Sequence, residues 1–206
     1  MTSKQGFKIT DLAVYCNDNP CFISTAGDVD GDRIVDIAIG AVDVNSNKGA
    51  VYVAYDKKGG YEDFDIADLT DDMGYMINGP SGRFGWNVNS KGGVNGDKIS
   101  DIIIGSKTIS GSFIYVTYGQ KTRGSTLTAA STSSTRGFKI SGASEVYLGL
   151  AVSSTGDFNR DGIDDFIITA PGVSSFNGAS YIIYGKNESV LSYPTPKPAA
   201  SAKALP

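Results

Sequence analysis

The sequence contains no histidine. This excludes Ser-His-Asp and Cys-His nucleophile pairs, histidine general bases and every zinc site that uses imidazole. Cysteine is nearly absent too: Cys16 and Cys21 are the only two, too few for a four-thiolate zinc site within one chain. Five positions apart, they either close a small disulfide loop in an oxidising compartment or remain free thiols. No apolar run approaches the roughly 18 residues of a membrane span. Met1–Gly6 is not followed by an apolar run of signal-peptide length, so no signal peptide is read in this chain. Long 3.6-residue periodicity is missing as well; the nearest stretch, Phe64–Leu69, holds one or two helical turns at most. An excess of basic residues is also lacking. With 18 Lys and Arg against 22 Asp and Glu, the formal charge is −4, which makes nucleic acid a poor partner.

What remains is a 206-residue chain, 40% apolar, long enough for a sizeable core. Its 26 glycines follow no triplet period and therefore read as turns. They punctuate an internal repeat. Gly27–Asp36 recurs at Gly92–Asp101 and again at Gly156–Asp165, at spacings of 65 and 64 residues. Each acidic stretch leads into a β-branched run: Ile37–Ile39, Ile102–Ile104 and Phe166–Ile168. A small-residue turn follows, then a Tyr-rich run at Gly49–Tyr55, Gly111–Tyr118 and Gly178–Tyr184. Such glycine-bounded runs are strands. An element with apolar residues two apart precedes each unit, at Gly6–Ile9, Gly74–Ile77 and Gly137–Ile140, and reads as a half-exposed outer strand. A first inner strand lies between it and the acidic stretch, as at Phe84–Val88 and Leu148–Val152.

Four strands per unit give twelve, and four-stranded units at a fixed period predict an all-β fold of β-propeller blades. The units are 1–72 with the N-terminal outer strand, 73–135 and 136–190, followed by a Pro/Ala-rich tail at 191–206. The last unit lacks its outer strand and the first carries a spare. Three blades are too few for a ring. Exchange of the N-terminal strand between two copies would give a homodimer with six blades; the rival is a partial propeller.

Each acidic stretch sits between two strand signals and is a hairpin loop. Oxygen-bearing side chains fall at loop positions 1, 3, 5 and 9: Asp28, Asp30, Asp32 and Asp36 in the first copy, Asp157, Asn159, Asp161 and Asp165 in the third. Alternate residues of a tight loop point to one centre, and Gly31 and Gly162 permit the turn. Converging carboxylates repel unless a cation lies among them. Calcium accepts six to eight oxygens, and position 7, Ile34 or Ile163, is placed to offer its carbonyl. Magnesium prefers a rigid octahedron. An EF-hand would need a glutamate at position 12, where Ile39 and Ile168 stand. The middle copy, Asn95, Asp97, Ile99 and Asp101, retains two carboxylates and predicts a weak or empty site. The bland alternative for all three is an Asx-rich turn without an ion.

The ordered set Phe84-Gly85 (weaker in Leu148-Gly149), acidic loop, and Ile39-Gly40-Ala41 or Thr169-Ala170-Pro171-Gly172 resembles the FG-GAP repeats of the integrin alpha-chain propeller and its bacterial relatives. The resemblance covers roughly residues 6–186. Asn19-Pro20 departs from it where the first FG would fall. It implies a propeller, typically seven-bladed, whose loops bind calcium to stiffen the blade edge and whose other loops contact ligands, often proteins. It also implies an extracellular or cell-surface location. The expected function is non-catalytic protein binding or cell adhesion. Alternatives are an accessory propeller of a secreted hydrolase and a structural assembly unit.

Overall fold

The structure, a computed structural model, describes residues 6–11, 21–58, 60–90, 92–107, 113–124, 126–129, 135–141 and 147–187. The expectations for Cys16, Asn19-Pro20 and the tail lie outside these residues. It is all-β. Strands β2 (Phe22–Gly27), β3 (Asp36–Ala41), β4 (Ala50–Ala54) and β6 (Gly74–Asn78) form an antiparallel sheet. Strands β7 (Phe84–Asn89), β8 (Ile102–Ser106), β9 (Phe113–Thr117) and β11 (Gly137–Ser141) form a second. The third sheet holds β12 (Val152–Gly156), β13 (Asp165–Ala170) and β14 (Ala179–Ile183).

Two short strands lie in the inter-strand loops. β5 (Phe64–Asp65) pairs in parallel with β1 (Ile9–Thr10), and β10 (Leu127–Thr128) pairs in parallel with β6, giving the first sheet a fifth strand. The expected four strands are thus met in the second sheet and, with the short β10 added, in the first. The third has three among the described residues. Residues 66–68 form a single 3-10 turn. The inner strand expected at Leu148–Val152 begins only at Val152, after a turn.

Sheet boundaries are offset from repeat boundaries by one strand. β6 opens the second repeat yet completes the first sheet, and β11 opens the third repeat yet completes the second. The cores lie between sheets. Val51, Val53 and Ile77 meet Ile102 and Ile104 in one cluster, and Ile103, Ile114 and Val116 meet Phe166 and Ile168 in another. The alternation along β8, with Ile102 and Ile104 on one face and Ile103 on the other, is the two-residue strand period of a sheet buried on both sides. The outer face of the first sheet (Ile39, Ala50, Tyr52) is covered by Ile66, Phe64 and Ile9.

The FG and GAP motifs meet where adjacent units touch. A Cβ on Gly40 would fall on the carbonyl oxygen of Gly85, and one on Gly105 would fall on that of Gly149. Gly85 and Gly149 also take φ of 90° and 80°, in the left-handed region. The motif glycines are therefore packing residues between neighbouring units. No helix among the described residues is long and apolar enough to cross a membrane.

Candidate metal centre

All three acidic loops share one backbone path. Positions 4 and 6 are left-handed in each: Gly31 (φ 78°) and Arg33 (76°), Gly96 (79°) and Lys98 (68°), Arg160 (63°) and Gly162 (88°). Each copy relieves only one of the two with glycine. Position 9 closes each loop in the same way. Asp36 accepts the Val29 N–H on Oδ2 (2.9 Å) and the Asp56 N–H on Oδ1 (2.8 Å). Asp101 accepts from Val94 and Gly119, and Asp165 from Phe158 and Gly185. All three carboxylates are buried. Burial pushes Asp36 up to about 7, against the pull of the Val29 and Asp56 amides, and the charges of Asp30 and Asp56 push further. Burial likewise holds Asp101 well above the usual carboxylate range.

The first loop gathers the most negative charge. Asp28, Asp30 and Asp36 present oxygens within 4.8 Å of one another, and so do Asp30, Asp32 and Asp56. Asp28 accepts the Gly31 and Arg33 N–H groups at 2.6 and 2.8 Å, and Asp32 accepts that of Ile34 at 2.8 Å. Oδ1 of Asp56 is buried without a hydrogen-bond partner. Burial raises the Asp56 carboxyl, and the neighbouring Asp32 adds to it. Asp56 lies outside the repeat motif, at the position held by Gly119 and Gly185 in the other units, so the period concealed it.

Arg123, from the segment after β9, partly offsets this charge. Its Nε donates to Asp30 Oδ2 at 2.8 Å, and its Nη2 lies 3.6 Å from both Asp32 and Asp56. Its guanidinium also covers the Tyr55 ring at 4.8 Å. Nothing in the repeat pattern marks Arg123; its counterpart in the first unit is Gly60.

The other loops are less charged. In the third, Asp157 accepts the Asp161 and Gly162 N–H groups, Asn159 donates to Asp161 at 2.8 Å, and Asp161 accepts from Ile163. In the second, Asn95 donates to Asp97 at 3.1 Å, and Asp97 accepts from Ile99. Among the described residues, neither loop holds a carboxylate triad as close as those of the first. Cys21 is disulfide-bonded, which resolves the open alternative for that residue.

The donor set of the first loop suits a hard divalent cation. It offers carboxylates only, five of them in two triads that share Asp30, and one buried carboxylate oxygen, Asp56 Oδ1, has no hydrogen-bond donor. No curated protein matches the chain. Residues 149–183, which run from Gly149 through the third acidic loop to the end of β14, match the FG-GAP repeat family. That stretch is an FG-GAP repeat, and the integrin-like resemblance stands at the level of that family.

Proposed function

We propose that the chain is a non-catalytic, calcium-stabilised β-propeller module that binds a protein partner or mediates adhesion, with its three sheets as blades. The FG-GAP match supports the propeller and the interaction role. The observation that carries the calcium reading is the first loop, where five carboxylates form two overlapping triads and the buried Asp56 Oδ1 has no hydrogen-bond donor, with only the Arg123 guanidinium 3.6 Å away. Asp28, Asp30, Asp32, Asp36 and Asp56 would hold the ion, which would neutralise their repulsion and pin β2 to β3. In the third unit Asp157, Asn159, Asp161 and Asp165 would serve. The disulfide at Cys21 suits an extracellular or cell-surface setting.

The chain's own residues already shape the loops without an ion, through the position-9 carboxylates. Calcium would thus act by binding the folded state more tightly than the unfolded one. The test is thermal melting with calcium and with chelator, on the native chain and on the Asp32→Ala/Asp161→Ala double variant. A calcium-dependent rise in Tm that the double variant loses supports the reading. A melting curve indifferent to calcium overturns it.

A further inference from the structure

Among the described residues, β1 pairs with β5 alone, in the position of an outer strand. Its residues Gly6–Thr10 match β11 (Gly137–Ser141) at four of five positions and align with β6. β5 holds β1 as β10 holds β6: Ile9 faces Phe64 and Thr10 faces Asp65, as Ile77 faces Leu127 and Asn78 faces Thr128. Ile9 packs into the cluster on the outer face of the first sheet, as Ile77 packs into the cluster between the first two sheets. Lys8 turns its N–H to Asp63 and its C=O to the Phe64 N–H. By strand alternation, Phe7 and Ile9 turn theirs to the opposite edge, the one that β6 uses to pair with β4.

The third sheet presents the complementary need. β14 is its edge strand among the described residues. Ile182 is 37% exposed, whereas its counterparts Val53 and Val116 are fully buried under neighbouring strands and sheets. Tyr184 is 46% exposed, whereas Tyr55 and Tyr118 are buried and pack against Tyr75 and Phe138. Phe158 is 59% exposed, whereas Val29 and Val94 at the same loop position are buried beneath the next unit. At the opposite end Ile34 is 49% exposed, whereas Ile99 is buried against Gly31 of the preceding unit. Ile34 at one end of the array, and Phe158, Ile182 and Tyr184 at the other, are thus exposed at positions that interior units bury.

We infer that β1 of one chain completes the third sheet of a second copy, and that two copies close one ring by two such junctions. One chain carries both the donor strand and the acceptor edge, so each junction joins unlike surfaces, and a two-fold rotation forms both junctions at once as one isologous interface. Six sheets fall within the range that propellers close. The register follows from β4–β6 and β9–β11: Gly6 faces Ile183, Phe7 faces Ile182, Lys8 faces Tyr181, Ile9 faces Ser180 and Thr10 faces Ala179. Lys8 then meets Tyr181 as Lys139 meets Tyr115, with Nζ 5.5 Å from the ring centroid. The junction differs from the interior ones in one respect. Thr169 stands where Gly40 and Gly105 make their close contacts, so the lent strand and the apolar ends carry it.

The test is light scattering of the unsubstituted 206-residue chain across a dilution series, together with cysteine trapping. The mass should be twice that of one chain. The Thr10→Cys/Ala179→Cys pair should give a covalent dimer under oxidising conditions, because facing residues come within disulfide reach. The out-of-register pair Lys8→Cys/Ala179→Cys should not. A monomer at all concentrations, an open polymer, or trapping within one chain overturns the inference. Both readouts are independent of calcium, so a failure here leaves the calcium reading to its own test.

Discussion

Arg123 Nε donates to Asp30 Oδ2 at 2.8 Å, placing a guanidinium from the second unit inside the acidic loop of the first. The same side chain donates to the Asp72 carbonyl at 3.2 Å, so it ties three segments together while offsetting charge. It is a built-in counter-ion for a loop that also suits a mobile one.

Replacing it should uncouple these two roles. In Arg123→Met the calcium-free protein should lose about 1–2 kcal/mol, the scale of a hydrogen bond to a charged group in a half-exposed setting. Its calcium-induced rise in Tm should grow, because the carboxylates lose their alternative partner. Paired melts with chelator and with calcium check both; an unchanged calcium response would rule out competition for the same oxygens.

Calcium removal from the native chain should lower Tm by about 3–5 °C. A site with a dissociation constant near ~10⁻⁴ M in ~1 mM calcium adds about 1.4 kcal/mol, and a domain of this size shifts about 2–4 °C per kcal/mol. Isothermal titration should find the tightest site lost in Asp30→Asn, since Asp30 belongs to both triads of the first loop.

The pH response without calcium has a definite sign. Asp36, pushed up to about 7, binds its proton more tightly when folded than when unfolded. Its contribution is therefore fully present below the ordinary carboxylate pKa of about 4 and is lost as pH climbs to about 7. Asp101 shifts in the same direction. Denaturant midpoints in chelator should fall over this window. Asp36→Asn should flatten the slope, and a steeper one would contradict the assignment.

Asp101→Asn isolates the clamp from the metal. The second loop retains only two carboxylates, yet Asp101 still accepts the Val94 and Gly119 N–H groups in a buried setting. An amide keeps one acceptor and sets its NH2 against an N–H, so the loss should be about 1–3 kcal/mol. It should be the same with calcium and with chelator, as urea midpoints would show.

Gly40→Ala should cost about 1–3 kcal/mol by overpacking, because its new Cβ meets the Gly85 carbonyl of the next unit. Ala38→Gly, at a buried site in the same strand, provides a cavity control. Calorimetry should show the Gly40 variant weakened without a change in calcium response.

Much of this was legible from the chain alone. The two strands after each acidic stretch, and the hairpin loops themselves, followed from β-branched and Tyr-rich runs between glycines. The 65- and 64-residue periods exposed the motif glycines, although only coordinates show that Gly40 and Gly85 meet across a boundary. Strand partners were legible only in outline. A spare first strand and a missing last one implied that each outer strand completes the sheet before it, and the coordinates supply the register, with Val51 facing Ile77. Asp56 and Arg123 were hidden for a different reason. Both break the repeat, and a reading built on recurrence discards what occurs once. The start of β12 was misplaced because Leu148–Ala151 has strand composition but bends at Gly149, whose left-handed φ serves the contact with Gly105.

The one-strand offset between repeats and sheets has a mechanical result. No cut at a repeat boundary leaves an intact sheet on both sides, since β6 and β11 stitch each unit to its successor. Tension along the chain would be shared by adjoining units before either gives way, and excising one repeat would tear two sheets. Unfolding should run as a single event across all three units, with the seam and the fabric failing together.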